Sequence, residues 1–124
     1  MTATLGTFSG RPNPTWELED EQVEALRDIV NALPPTDKAL DAAGLPPYAG
    51  FHVEAERGTI AGQATHLEVY DGMILLLDKN LEQRGHLGDP DCKVETHLFK
   101  MAEHHVESAV YVRALDRFRA LTTE

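Results

Sequence analysis

The strongest constraint on the fold is a β-hairpin signal in the middle of the chain. Residues 65–70 alternate between apolar and polar side chains. The dipeptide Asp71-Gly72 follows, and such a dipeptide favours a two-residue hairpin turn when strands flank it. The apolar run Met73–Leu77 comes next and suits a strand that is buried on both faces. The pattern therefore predicts two antiparallel strands joined at Asp71-Gly72.

Other segments extend this hairpin into a small sheet with helices. Residues 49–56 alternate in the same way and predict a third strand, and a short first strand is expected over residues 3–8. Residues 80–90 contain two glycines and a proline and are interpreted as a loop.

Two segments carry helical periodicity. Apolar residues recur at helical spacing over residues 23–33, acids occupy the first turn, and Pro34-Pro35 ends the helix. The last helix is predicted to begin near Asp91 and to continue past Val106. Its apolar pattern degrades beyond about Val110, where the helix either bends or packs its end on a second subunit. The element order β-α-β-β-β-α predicts a single α+β domain over residues 1–124. Its antiparallel sheet should have about four strands, with helices packed on one face.

Composition limits the functional classes. The chain has 124 residues, enough for a hydrophobic core, and its net charge is −10. That charge disfavours binding to nucleic acid and to anionic membranes, and it is compatible with a small-molecule ligand or a basic protein partner. The single cysteine, Cys92, cannot form an intramolecular disulfide, and we expect a buried, inert thiol in a cytoplasmic protein. The longest apolar run is far shorter than the roughly 20 residues of a membrane span.

The N-terminal loop is the first candidate site. Arg11 offers a planar fork of donors for a carboxylate or phosphate, and Asn13 offers both a donor and an acceptor. Prolines on both sides of Asn13 stiffen the loop, and Trp16 is placed to wall a pocket. Arg11, Asn13 and Trp16 are therefore the substrate-binding candidates. The alternative is structural, with Asn13 closing a turn, Arg11 paired with an acid and Trp16 packed on the sheet.

This loop also carries a resemblance. The stretch Phe8–Trp16 reads Phe-Ser-Gly-Arg-Pro-Asn-Pro-Thr-Trp and precedes an acidic helix. Together with that helix it resembles a motif in small uncharacterised bacterial proteins, and the resemblance covers about a quarter of the chain. The resemblance implies a bacterial source and a recurring loop, and it implies no activity.

The second candidate is the polar face of the two predicted strands at residues 49–56 and 65–70. The predicted register of these strands pairs Glu54 with Glu68, His52 with Tyr70, and Glu56 with His66. Two carboxylates that face each other repel, so this register predicts a cation between them, such as a metal, a protonated histidine or Arg57. His52 and His66 with these carboxylates would suit zinc, iron or manganese. Alternatively, Glu54 and Glu68 serve as a catalytic acid and base without a metal, or the face is simply solvated.

The last helix is the third candidate. His97, Met101 and His104 fall close together on a helical wheel, away from the apolar stripe. Imidazole together with thioether favours copper. The alternatives are a solvated face or a subunit contact, and the end of this helix is a candidate homodimer surface.

Together these features lead to one main hypothesis and two rivals. The main hypothesis is a small bacterial protein that binds copper or zinc through its histidines, with enzymatic action on a small anionic substrate as an extension. One rival is an acidic binding module without catalysis, comparable to an immunity protein that neutralises a basic toxin. The other is an acid/base enzyme that uses no metal.

Overall fold

The computed structural model describes residues 1–7, 12–37 and 48–122. Within these ranges the chain forms six strands and three helices. In chain order they are β1 (Thr2–Leu5), β2 (Thr15–Glu17), α1 (Asp20–Asn31), β3 (Phe51–Glu54), β4 (His66–Tyr70), β5 (Met73–Leu77), β6 (Gln83–Gly88), α2 (Lys93–Ala102) and α3 (Ser108–Thr122). The α+β class with an antiparallel sheet is confirmed, but the sheet has six strands rather than about four.

The strands form one sheet in the order β2-β1-β3-β4-β5-β6, and every neighbouring pair is antiparallel. The predicted hairpin is present, since Tyr70 pairs with Met73 across the turn. Asp71 and Gly72 have φ angles of 48° and 77°, as expected for a two-residue turn whose twist matches that of the strands.

The two strands missing from the sequence prediction are short or weakly patterned. The three-residue strand β2 buries only Trp16, which is too little for alternation to be recognised. The strand β6 replaces the predicted loop over residues 80–90, although it contains Gly85 and has one buried residue, Leu87. It forms because its backbone pairs with β5 on one side, while Pro35 makes an isolated bridge to Leu87 on the other.

The core lies on one face of the sheet. Alternate residues of the central strands point into it, including Phe51, Val53, Leu67 and Val69. All three helices contribute buried residues to the same cluster, which are Leu26, Val30, Val94, Leu98, Phe99, Met101, Ala102, Ala114 and Phe118. The helices therefore cover this face, and the opposite side chains of β3 and β4 belong to a second face with different chemistry.

The predicted helix boundaries are right for α1 and wrong for the last helix. α1 begins after Glu19, which forms a capping box with Gln22, and it ends before Pro34. The last helix is instead two helices, because the chain leaves helical geometry after Ala102 and α3 begins at Ser108. The apolar pattern continues across the break since Val106 is buried within the turn itself. In the part of the chain that the structure describes, no helix has the length and apolar character of a membrane span.

Candidate functional site

Strands β3 and β4 bring four of the predicted site residues together. His52 lies opposite Glu68, and Glu54 lies opposite His66. The predicted register is therefore wrong by two residues. A shift of two keeps every side chain on its face but changes its partner. Each carboxylate faces an imidazole rather than the other carboxylate, so the repulsion that predicted a cation is absent.

The remaining predicted pairs of this register are also wrong. Tyr70 lies opposite Met73 in β5 rather than opposite His52. Glu56 lies beyond the end of β3, where its carboxylate is 2.6 Å from the N-terminal amino group of Met1. That contact lowers the pKa of Glu56 to about 2. Neither residue belongs to the site.

We call His52, Glu54, His66 and Glu68 the His/Glu square. Three of its members form a chain of hydrogen bonds. Oε1 of Glu68 lies 2.6 Å from Nδ1 of His52, and Nε2 of His52 lies 3.2 Å from Nδ1 of His66. A carboxylate only accepts hydrogen bonds, so Nδ1 of His52 carries a proton that it donates to Glu68. This hydrogen bond raises the pKa of His52, although burial opposes the rise.

The His/Glu square is accessible to solvent. The side chains of His52 and Glu68 are 32% and 41% exposed, and Glu54 is exposed. Its neighbours on the same face of β5 are apolar: Leu75 pairs with Glu68, and Leu77 pairs with His66. Leu75 is half-buried and lies outside the core cluster, whereas Leu77 is buried. Among the described residues, the helices pack on the other side of the sheet. We call the side that carries the His/Glu square the open face.

The predicted stripe of His97, Met101 and His104 is not assembled as one exposed group. Met101 is 4% exposed and packs in the core. His97 is half-buried, and its Nε2 is buried without a hydrogen-bond partner among the described residues. His104 is exposed in the turn after α2, where its backbone N–H donates to the carbonyl of Met101. The helical wheel failed here because the helix ends at Ala102, before His104 is reached.

The N-terminal loop candidates have structural contacts where they are described. Oδ1 of Asn13 accepts from the backbone N–H of Thr7 at 3.2 Å, which ties the two ends of the loop together. Trp16 is 5% exposed, meets Phe51 edge to face and stacks on the ring of His105 at 6.0 Å. Arg11 lies outside the described residues. The contacts of Asn13 and Trp16 correspond to the structural alternative for this loop.

A buried polar cluster that sequence reasoning missed is centred on Glu95 in α2. The Glu95 side chain is fully buried; its Oε2 accepts from the hydroxyl of Tyr48, and its Oε1 accepts from the backbone N–H of Gly72 at 2.7 Å. Burial raises the pKa of Glu95, and burial likewise raises that of Tyr48. The sequence does hold a signal, because Glu95 falls at helical spacing from the buried Leu98 and Phe99.

Cys92 lies beside this cluster at the start of α2. Its side chain is 7% exposed, and burial together with the nearby Glu95 raises its pKa to about 12. Such a thiol is protonated at neutral pH and is a poor nucleophile. The predicted buried position is confirmed.

A cleft of 460 Å³ opens next to Cys92, and its lining also includes Asp71, Asp89 and Leu121. None of the described lining residues is basic. Oδ2 of Asp89 accepts from the backbone N–H of Val94 and so caps α2, whereas Oδ1 is buried without a partner in the described structure. The acidic lining suits a cation better than the small anionic substrate expected from the sequence.

Comparison of the chain with protein-family models, with curated proteins and with solved structures returned no match. Within residues 1–7, 12–37 and 48–122, no group of three or more His, Cys, Asp or Glu side chains is arranged to hold a metal ion. The His/Glu square does bring two imidazole nitrogens, one from His52 and one from His66, within 3.2 Å of each other.

Proposed function

We propose that the protein binds a divalent transition metal through His52 and His66 on the open face. The observation that carries the proposal is the 3.2 Å separation between Nε2 of His52 and Nδ1 of His66. Two nitrogens bound to one tetrahedral zinc, each at about 2.0–2.1 Å, lie about 3.3 Å apart. The distance between the two nitrogens is therefore compatible with a hydrogen bond between the rings and also with a metal ion bound by both rings.

The contact between Glu68 and His52 also supports the proposal. Because Nδ1 of His52 donates its proton to Glu68, the lone pair of a neutral imidazole lies on Nε2, which is the nitrogen that faces His66. Histidines that bind metals in proteins usually donate their other N–H to a carboxylate or carbonyl, which fixes the ring and raises its basicity. Glu68 makes that contact at 2.6 Å.

The donor set defines the class of metal. Imidazole nitrogen suits zinc, copper, nickel and iron, while calcium and magnesium prefer oxygen. The thioether of Met101, which favoured copper in the sequence, lies in the core away from this pair. Zinc is therefore the first probe, with copper and nickel as comparisons.

The test is a zinc titration of the full chain without a His-tag, read by competition with a chromophoric chelator. His52→Ala and His66→Ala should each weaken binding more than about a hundredfold, beyond the range for loss of an outer carboxylate. His86→Ala is the matched control. His86 lies on the same side of the sheet, because it pairs with Leu75, which in turn pairs with Glu68. Its replacement should leave zinc affinity unchanged.

Two outcomes contradict the proposal. One is a wild-type chain that shows no zinc binding in the titration. The other is a His52→Ala variant that binds zinc as tightly as the wild type. If His104→Ala rather than His52→Ala loses the metal, the ligands lie around the turn after α2, and the assignment to β3 and β4 is wrong.

A further inference from the structure

We infer that the metal joins two copies of this chain across their open faces, with His52 and His66 supplied by each copy. This inference rests on the proposed metal site and names the partner that completes it. A closed tetrahedral site takes four protein ligands. The imidazole pair supplies two, and the described residues add no third group to it. A second copy supplies the missing two in the same chemical form.

The arrangement of the His/Glu square gives this inference its geometry. His52 and Glu54 lie two residues apart on β3, while His66 and Glu68 lie two apart on β4. Since His52 pairs with Glu68 and Glu54 with His66, the histidines occupy one diagonal of the square and the glutamates occupy the other.

A twofold axis in the plane between two facing sheets acts on this pattern in a definite way. If the axis passes over the centre of the square, parallel or perpendicular to the strands, it exchanges the two diagonals. The histidine pair of the second copy then crosses the first pair at a steep angle, from above. Two crossed pairs of ligands on opposite sides of an ion make a tetrahedron, which is the geometry of zinc sites closed by four protein ligands.

The same operation makes the charges of the two faces complementary. Each glutamate of one copy lies over a histidine of the other, and no carboxylate lies over a carboxylate. This matters because each chain carries a net charge of −10, which opposes self-association. A metal cation at the centre offsets part of that repulsion. Dimerisation should therefore depend on the metal.

An apolar side chain next to the square supplies contact area. Leu75 pairs with Glu68 on β5, is half-buried and lies outside the core of the chain. Twofold interfaces bury the same patch of both copies, and the centres of such interfaces are more apolar than their rims. A metal with four histidines, flanked by Leu75 from each copy, fits such a centre.

The experiment measures mass and metal content together on the full, untagged chain. Size-exclusion chromatography with light scattering is run with zinc and with EDTA. We expect one zinc per two chains, and a mass that rises with zinc to twice the 13.7 kDa of the chain and falls back with EDTA. His52→Ala should remain monomeric with zinc, and His104→Ala should dimerise like the wild type.

A second variant tests the face itself. Leu75→Lys keeps both histidines but places a charge where the two faces would meet, so it should prevent the zinc-dependent rise in mass. Circular dichroism and urea unfolding establish that the variant is folded. If a folded Leu75→Lys still dimerises with zinc, the open face is not the interface, and the inference is overturned.

The outcomes separate this inference from the proposed function. One zinc per monomer, lost in His52→Ala, retains the metal site and overturns the second copy, with water or a small ligand completing the coordination. No zinc binding at all overturns both. A dimer that survives EDTA and His52→Ala uses another surface and also overturns the inference.

Discussion

Two glutamates of this protein, Glu95 and Glu68, differ sharply in solvent exposure. Glu95 is fully buried, and both of its oxygens accept hydrogen bonds, from Tyr48 and from the backbone of Gly72. Glu68 is 41% exposed on the open face and holds one ring nitrogen of His52. The first carboxylate joins three parts of the chain and is closed to any ligand. The second fixes a half-exposed histidine whose other nitrogen faces His66.

The difference teaches where this chain uses polar groups for stability and where it leaves them available. A buried carboxylate is tolerated only when its hydrogen bonds are satisfied, so removing it leaves its partners unsatisfied. A half-exposed carboxylate can be lost at small cost, because water replaces its contacts. Replacing Glu95 should therefore affect mainly stability, whereas replacing Glu68 should affect mainly metal binding.

The largest expected effect is on stability at the buried position. Glu95→Ala leaves the Tyr48 hydroxyl and the Gly72 N–H without partners and opens a cavity. The free energy of unfolding should fall by about 3 kcal/mol. The matched change Glu68→Ala should cost no more than about 1 kcal/mol. Urea unfolding of both variants measures the difference, and equal losses would remove the distinction drawn between the two glutamates.

A smaller effect is expected on metal affinity, and here a change at Glu68 should matter more than a change at Glu95. Glu68→Gln keeps the size of the side chain but removes the carboxylate that accepts from His52. Zinc affinity should fall about 10- to 100-fold, as for other outer carboxylates. Glu95 lies away from the open face, so Glu95→Gln should leave zinc affinity unchanged. If the chelator competition gives the same affinity for Glu68→Gln and the wild type, Glu68 does not support the metal site.

The smallest expected effect is a dependence of stability on pH at Glu95. Burial raises the pKa of Glu95 in the folded chain, so its favourable contribution is complete below its unfolded pKa. That contribution is lost as pH rises through the folded pKa. The stability of the wild type relative to Glu95→Gln should therefore fall with rising pH and then level off. Urea unfolding of both proteins between about pH 4 and pH 8 measures this, and a relative stability that rises over the range would contradict the direction of the shift.

Much of the fold could be read from the sequence where the pattern was local. The capping and proline signals placed α1, and the Asp71-Gly72 turn with its flanking strands placed the central hairpin. Prediction failed where structure depended on distant pairing. The strand β6 contains Gly85 and has little apolar character, and it exists because β5 and the segment at Pro35 bond to its backbone.

The candidate site was also predicted only in part, because the sequence pattern is local and the pairing of the strands is not. Alternation placed His52, Glu54, His66 and Glu68 on one face, and that placement is correct. Their partners were wrong because alternation is unchanged by a shift of two residues, so the sequence pattern could not distinguish the two registers. Glu95 was missed because a glutamate in a helix is expected in solvent, and only the packed structure supplied Tyr48 and Gly72 as its partners.

The sequence by itself thus determined the α+β class, the hairpin and the face on which the histidines and glutamates lie. Those features follow from chain-local geometry, which is the two-residue period of strands, the 3.6-residue period of helices and the dihedral preferences of turn residues. The tertiary structure decided the strand register, the break between α2 and α3, the burial of Met101 and the union of Glu95 with Tyr48 and Gly72. Each of these depends on contacts between segments far apart in the chain, whose energies no local pattern records.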